Sequence, residues 1–181
     1  MTHNIKKSHI FTFLKEKEIV EEIYSDTIEI LERDKEANLQ KVILTNLNSN
    51  SQYWVLNSES KTFLEMQGRK VEKIILEQTN EGYLNIIMVE LKSKKVGNQN
   101  KILEKFRNSL SWVYLLLNIL DGKQRQKIRV FGILVAQEDK RWNSKESLKL
   151  FSSTSIRYIK RSFYTEKNEF EIDINKLSTP I

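Results

Sequence analysis

Four residues, Val89-Glu90-Leu91-Lys92, close an apolar run that begins at Ile86. Tyr83–Leu91 reads as a strand, and side chains two apart on a strand share a face. Glu90 and Lys92 therefore point the same way. Upstream, Glu72 stands near the start of a second Ile- and Val-rich run, Lys70–Glu77. Thr79-Asn80-Glu81-Gly82 between the runs is a turn signal, so the two should pair as an antiparallel hairpin. In such a hairpin the start of one strand lies beside the end of the other. Two carboxylates and one ammonium can then converge. Glu77 is a fallback acid, nearer the turn and farther from Glu90. Two carboxylates can hold a hard divalent cation, Mg²⁺ or Mn²⁺, through oxygen. Such a metal neutralises charge developing on a phosphate and lowers the pKa of a bound water. A lysine beside it can orient that water or stabilise the charged transition state. The chemistry that suits this set is phosphodiester hydrolysis with no covalent nucleophile.

The elements that must position these groups follow from periodicity. Leu103, Phe106, Leu110, Val113, Leu117 and Leu120 step by three and four, which puts them on one helix face. Asp121-Gly122 suits the end of that helix. Lys127–Ala136 is another buried strand, and strand, helix, strand at these lengths predicts a parallel crossover. The run Ile86-Ile87-Met88-Val89 is apolar on both faces, so its strand should be central in the sheet. Earlier in the chain, Val20, Ile23, Thr27 and Leu31, widened by Ile19 and Ile30, predict a helix over Lys15–Arg33. Lys41–Leu47 and Tyr53–Leu56 read as short strands about a turn at Asn48–Gln52, with a further short strand at Phe63–Met66. The tail offers a short helix after Ser144 and strands at Ile156–Tyr164 and Glu169–Ile174. Trp54, Trp112 and Trp142 read as packing residues. With a single proline, Pro180, no repeat and no low-complexity linker, residues 1–181 read as one domain.

Glu72, a hairpin, Glu90-Leu91-Lys92, an amphipathic helix and a further strand together resemble the PD-(D/E)XK nuclease superfamily. The likeness spans roughly Val71 to Ala136, with the Lys15–Arg33 helix as candidate first core helix. It implies an α/β fold, a mixed central β-sheet flanked by helices with a restriction-endonuclease-like α-β-β-β-α-β core. It also implies metal-binding roles for Glu72 and Glu90, and a water-activating or phosphate-stabilising role for Lys92. The family's first acid is usually Asp, often after Pro; here it is Glu72, after Val71. Glu-x-Lys also occurs at Glu59-Ser60-Lys61 and Glu138-Asp139-Lys140, but only Glu90-Leu91-Lys92 has a strand–turn–strand before it and a crossover helix after it.

Charge supports a polyanionic partner. The net charge is +6, and basic residues gather in the middle and the tail while acids gather between Phe11 and Gln40. Lys94 and Lys95 follow the motif directly. Lys101 and Lys105 are four apart on the long helix, with Asn108 continuing that face. Arg157, Lys160 and Arg161 interleave with Tyr158, Phe163 and Tyr164, a mixture that can track a phosphate backbone and stack on bases. These residues are the candidate nucleic-acid contacts, with DNA the expected substrate. Cutting both strands of a duplex would favour a homodimer. The alternative is a catalytically inactive protein of the same fold that binds nucleic acid or a protein partner. Cysteine is absent, which excludes disulfide scaffolds, Cys-zinc sites and thiol nucleophiles. His3 and His9 are the only histidines, so a Ser-His-Asp triad is disfavoured. Phosphate-binding glycine loops and a Gly-x-Ser-x-Gly elbow are missing. No apolar run reaches the roughly 20 residues of a membrane span, and MTHNIKKSHIFTF has no secretory pattern, so a cytoplasmic protein with no membrane association is expected.

Overall fold

A computed structural model describes residues 15–16, 19–32, 37–56, 70–92, 99–121, 127–137 and 157–177. Nine strands and one long helix form its described part: β1 (Val20–Ile23), β2 (Ile28–Leu31), β3 (Lys41–Thr45), β4 (Gln52–Leu56), β5 (Lys73–Gln78), β6 (Tyr83–Lys92), α1 (Gln99–Asp121), β7 (Lys127–Ala136), β8 (Arg157–Tyr164) and β9 (Glu169–Asp173). A 3-10 turn, Ile174–Leu177, follows β9. The fold is α/β, strand-rich, with two sheets. The larger has the order β1-β4-β5-β6-β7-β8; the smaller has the order β2-β3-β9. In the larger sheet β4, β5 and β6 form an antiparallel meander, and β6, β7 and β8 run parallel.

Strand parity sorts the core into two compartments. Ile74, Leu76, Leu84, Ile86, Met88, Val130 and Leu134 pack with Ile102, Leu103, Phe106, Trp112, Val113 and Leu116 of α1. The alternate residues Ile75, Ile87, Val89, Leu91, Phe131 and Ile133 pack against Ile28, Ile30, Val42, Leu44 and Ile172 of the second sheet. β6 is therefore covered on both faces, and every residue from Leu84 to Leu91 is buried. This explains its unbroken apolar run, as in strands sandwiched between two layers. Among the described residues only one face of the central sheet carries a helix; the other carries β2, β3 and β9. No helix among them is long and apolar enough to cross a membrane.

The helix expected over Lys15–Arg33 is overturned. Only Lys15 and Glu16 are helical among its described residues, and β1 and β2, separated by a bend at Ser25 and Asp26, lie within it. The spacing of Val20, Ile23, Thr27 and Leu31 was coincidental, since Leu31 is 62% exposed. The period that operates is two: Ile28 and Ile30 are buried while Glu29 and Leu31 are exposed. Ser25 interrupts any helix by accepting a hydrogen bond on Oγ from the Thr27 N–H at 3.2 Å. The bend there carries the chain from one sheet to the other. The strand at Phe63–Met66 and the helix after Ser144 lie outside the described residues.

The β5–β6 hairpin turns as its residues require. The Thr79 N–H donates to the Tyr83 carbonyl at 2.9 Å and the Gly82 N–H to the Thr79 carbonyl at 3.1 Å. Gly82 takes φ 81°, the left-handed residue that closes a three-residue hairpin loop. A Cβ there would meet nothing within 4 Å, so the cost of a side chain is backbone strain alone. Gly82→Ala should lower stability by about 1–2 kcal/mol, read as a lower urea midpoint with unchanged slope.

Candidate active site

The hairpin brings Glu72 to the open end of β6, as its geometry demands. Glu90 and Lys92 point from β6 toward α1, and α1 runs back across the sheet so that its second turn overlies them. Lys105 thus enters between the two carboxylates. Its Nζ donates to Glu90 Oε1 at 2.6 Å and to Glu72 Oε1 at 3.3 Å. Lys92 Nζ lies 2.7 Å from the same Glu90 oxygen. Glu90 Oε2 is buried and accepts no hydrogen bond. Glu72 and Lys105 are mostly buried, whereas Lys92 is the most exposed of the four.

One turn beyond Lys105, Ser109 fixes this arrangement. It is fully buried, and its Oγ accepts the Val71 N–H at 3.0 Å. The residue before Glu72 is thereby tied to the helix that carries Lys105. The apolar stripe on α1 concealed this role. Its centre is Ile102, Phe106, Ser109, Val113 and Leu116, with Leu110 and Leu117 only partly buried at the margin. A polar residue at the middle of a buried helix face is the signal that could have found Ser109. Trp112 is buried, as a packing residue should be, with Lys70 Nζ 5.4 Å from the centre of its ring.

The electrostatics follow from burial. Desolvation pushes the Glu90 carboxyl above its usual value, and the ammonium groups of Lys92 and Lys105 pull it part of the way back. For Lys105 burial alone would lower the pKa, but the hydrogen bond and charge of Glu90, with the charge of Glu72, outweigh it and the net shift is upward. Lys105 is thus an ammonium at neutral pH. Two carboxylates meeting at one cation supply hard oxygen donors suited to Mg²⁺ or Mn²⁺, and the partnerless Glu90 Oε2 is a further donor oxygen. Glu72 and Glu90 are the residues that would hold such a metal, and Lys105 holds the position between them. Among the described residues no three His, Cys, Asp or Glu side chains converge.

The other expected residues are dispersed. Lys101 is exposed on the first turn of α1. Lys105, expected as a phosphate contact, is instead the cation within the acidic pair. Arg157, Lys160 and Arg161 lie on β8 at the edge of the sheet, paired in register with Arg129, Gly132 and Ile133. Lys94 and Lys95 lie outside the described residues. Glu77, the fallback acid, faces the second sheet and cannot join Glu90, because its parity on β5 is opposite. No family model, curated protein or solved structure matches this chain.

Removing Lys105 leaves Glu90 with Lys92 alone. Breaking a buried pair by deleting one partner costs roughly 3–5 kcal/mol, and the retained Lys92 puts Lys105→Met at the low end of that range. A carboxyl whose folded pKa is raised contributes stability below its unfolded pKa that is lost as pH rises through the folded one. The Lys105→Met penalty should therefore be largest at pH 8 and shrink toward pH 5. In urea unfolding, adding Glu90→Gln to Lys105→Met should abolish that pH dependence.

Proposed function

We propose that this chain is a metal-dependent endonuclease of the PD-(D/E)XK type, hydrolysing phosphodiester bonds in nucleic acid, with DNA as the favoured substrate. The observation that carries the reading is the convergence of Glu72 and Glu90 on one nitrogen, beside Lys92 and a buried, partnerless Glu90 oxygen. The order β4-β5-β6-α1-β7, an antiparallel meander followed by a parallel crossover, supports it. In this reading Glu72 and Glu90 hold Mg²⁺ or Mn²⁺, which when bound supplies charge neutralisation and an acidified water. Lys92, at the exposed side, binds a phosphate oxygen or orients the attacking water. Lys105 gives up its place between the carboxylates and stays close enough to balance their charge. Lys94, Lys95, Lys101, Arg157, Lys160 and Arg161 follow the phosphate backbone, and a homodimer would serve both strands of a duplex. A cytoplasmic setting belongs to the same proposal.

One observation favours a second reading. The four charges already neutralise one another, with Lys105 standing where a metal would stand. That arrangement suits an inactive protein of nuclease-like fold that binds nucleic acid or a protein through its basic surface.

Cleavage separates the two. Wild type should cut linear duplex or single-stranded DNA with Mg²⁺ or Mn²⁺ and not with EDTA. Lys92→Ala and Glu90→Gln, purified identically, should lose at least about 10²-fold, the usual loss of a transition-state contact. Folded wild type that cuts neither DNA nor RNA would favour the second reading. Equal cutting by wild type and Lys92→Ala would remove this site from the chemistry.

A further inference from the structure

The opposite face of the same hairpin, at its turn end, carries a second polar group. Tyr53, Glu77, Asn85 and Arg129 are successive register partners across β4, β5, β6 and β7. They form one row, with strands about 4.8 Å apart. Glu77, Asn85 and Arg129 line a cleft of about 180 Å³, together with the exposed carboxylate Glu81 and with Asn48 and Phe131. An apolar cavity of about 150 Å³ takes up benzene, so this cleft suits a molecule of about six or seven non-hydrogen atoms, and a longer tail can leave through its open side.

The walls are chemically incomplete. Tyr53 donates to Glu77 Oε1 at 2.8 Å and receives the Asn48 N–H at 3.0 Å. Asn85 Nδ2 donates to Glu77 Oε2 at 2.7 Å. Because a carboxylate only accepts, this bond fixes the Asn85 amide and turns its Oδ1 away from Glu77. Asn85 Oδ1 is buried and has no donor. Glu77 is only 8% exposed, and among the described residues no cation lies within ion-pair distance of it. Its two partners are neutral. Burying a carboxylate without a counter-charge is costly. Arg129 has the converse deficit: its guanidinium lies 3.5 Å from the Tyr83 ring centre, and among the described residues it has no carboxylate partner.

Each Glu77 oxygen takes one hydrogen bond from a neutral donor and keeps accepting capacity, and an ammonium brings both further donors and the missing positive charge. The Arg129 guanidinium, stacked on Tyr83 and without a carboxylate among the described residues, matches a carboxylate, which it can bind through two parallel hydrogen bonds. The backbones of Glu77 and Arg129 are two strands apart, roughly 10 Å. We infer that the cleft binds a small zwitterion, an α-amino acid held by its ammonium on Glu77 and by its carboxylate on Arg129. The site is independent of the proposed nuclease centre, since Asn85 and Glu90 face opposite sides of the sheet and lie about 17 Å apart along β6.

The test is a titration of the full chain with each natural amino acid, followed by calorimetry and amide NMR, with methylammonium and acetate as half-ligands. At least one amino acid should bind saturably, shifting amides around Glu77, Asn85 and Arg129, with each half-ligand at least tenfold weaker. Glu77→Gln and Arg129→Met should each weaken binding by at least about tenfold, as for a charge-assisted hydrogen bond. Arg129 is only half-buried, so its variant keeps the test decisive should Glu77→Gln fail to fold. No saturable shift with any amino acid would overturn the inference. So would unchanged binding in Arg129→Met, or acetate binding as tightly as the amino acid.

Discussion

A carboxylate sealed from water, Glu90, sets the terms for the rest of this structure. β6 is covered by α1 on one face and by the second sheet on the other, so any charge placed on it loses its hydration. Such a charge persists only if the protein supplies counter-charge. Two ammonium groups do so from different elements, Lys92 along the same strand and Lys105 from the helix above. The helix must therefore dock with its second turn over the end of β6. Ser109, one turn on, ties that docking to the backbone at Val71 and keeps Glu72 within reach of Lys105. Packing, charge balance and the placement of the candidate site are one constraint viewed at three scales.

The two ends of the hairpin solve the same problem differently. At the open end, two carboxylates and two ammonium groups cancel, and an incoming cation must displace a lysine. At the turn end, Glu77 is held by a phenol and an amide. Burial first, then the charge of Glu77 and the hydrogen bond to it, raise the Tyr53 pKa well above its usual value, so Tyr53 keeps the proton it donates. Neutral donors orient a carboxylate without cancelling its charge. Among the described residues the carboxylate at the turn end thus has no cation within ion-pair distance, whereas Glu90 at the open end has two.

What was legible in the sequence was local. The hairpin announced itself through Thr79–Gly82 and its flanking apolar runs, the helix through its three-and-four spacing, and Glu90 and Lys92 through their parity on one strand. The second sheet was not legible, because its pairings are remote: β3 lies beside β9, with Lys41 opposite Glu169. Its strands are also short, and over so few residues an alternating pattern and a helical one can share the same apolar positions. Lys15–Arg33 was misread for that reason. Ile28-Glu29-Ile30 carried the correct period, and Ser25-Asp26-Thr27 marked the break.

The same distinction explains why Lys105 reads as a phosphate contact from the sequence and why the Tyr53–Arg129 row does not show there. Lys105 sits at a helical position that, by spacing alone, belongs to a solvated face with Lys101. Only the docking of α1 turns it inward, and a docking angle follows from the packing of whole elements. The row needs still more, since its four members come from four strands and align only once three registers are set. A one-residue slip of β5 would send Glu77 to the helix side and Leu76 toward the cleft. Ile74, Ile75 and Leu76 are apolar on both faces and would tolerate that slip, so the turn at Thr79–Gly82 and the bonds of Glu77 to Tyr53 and Asn85 decide which charges meet.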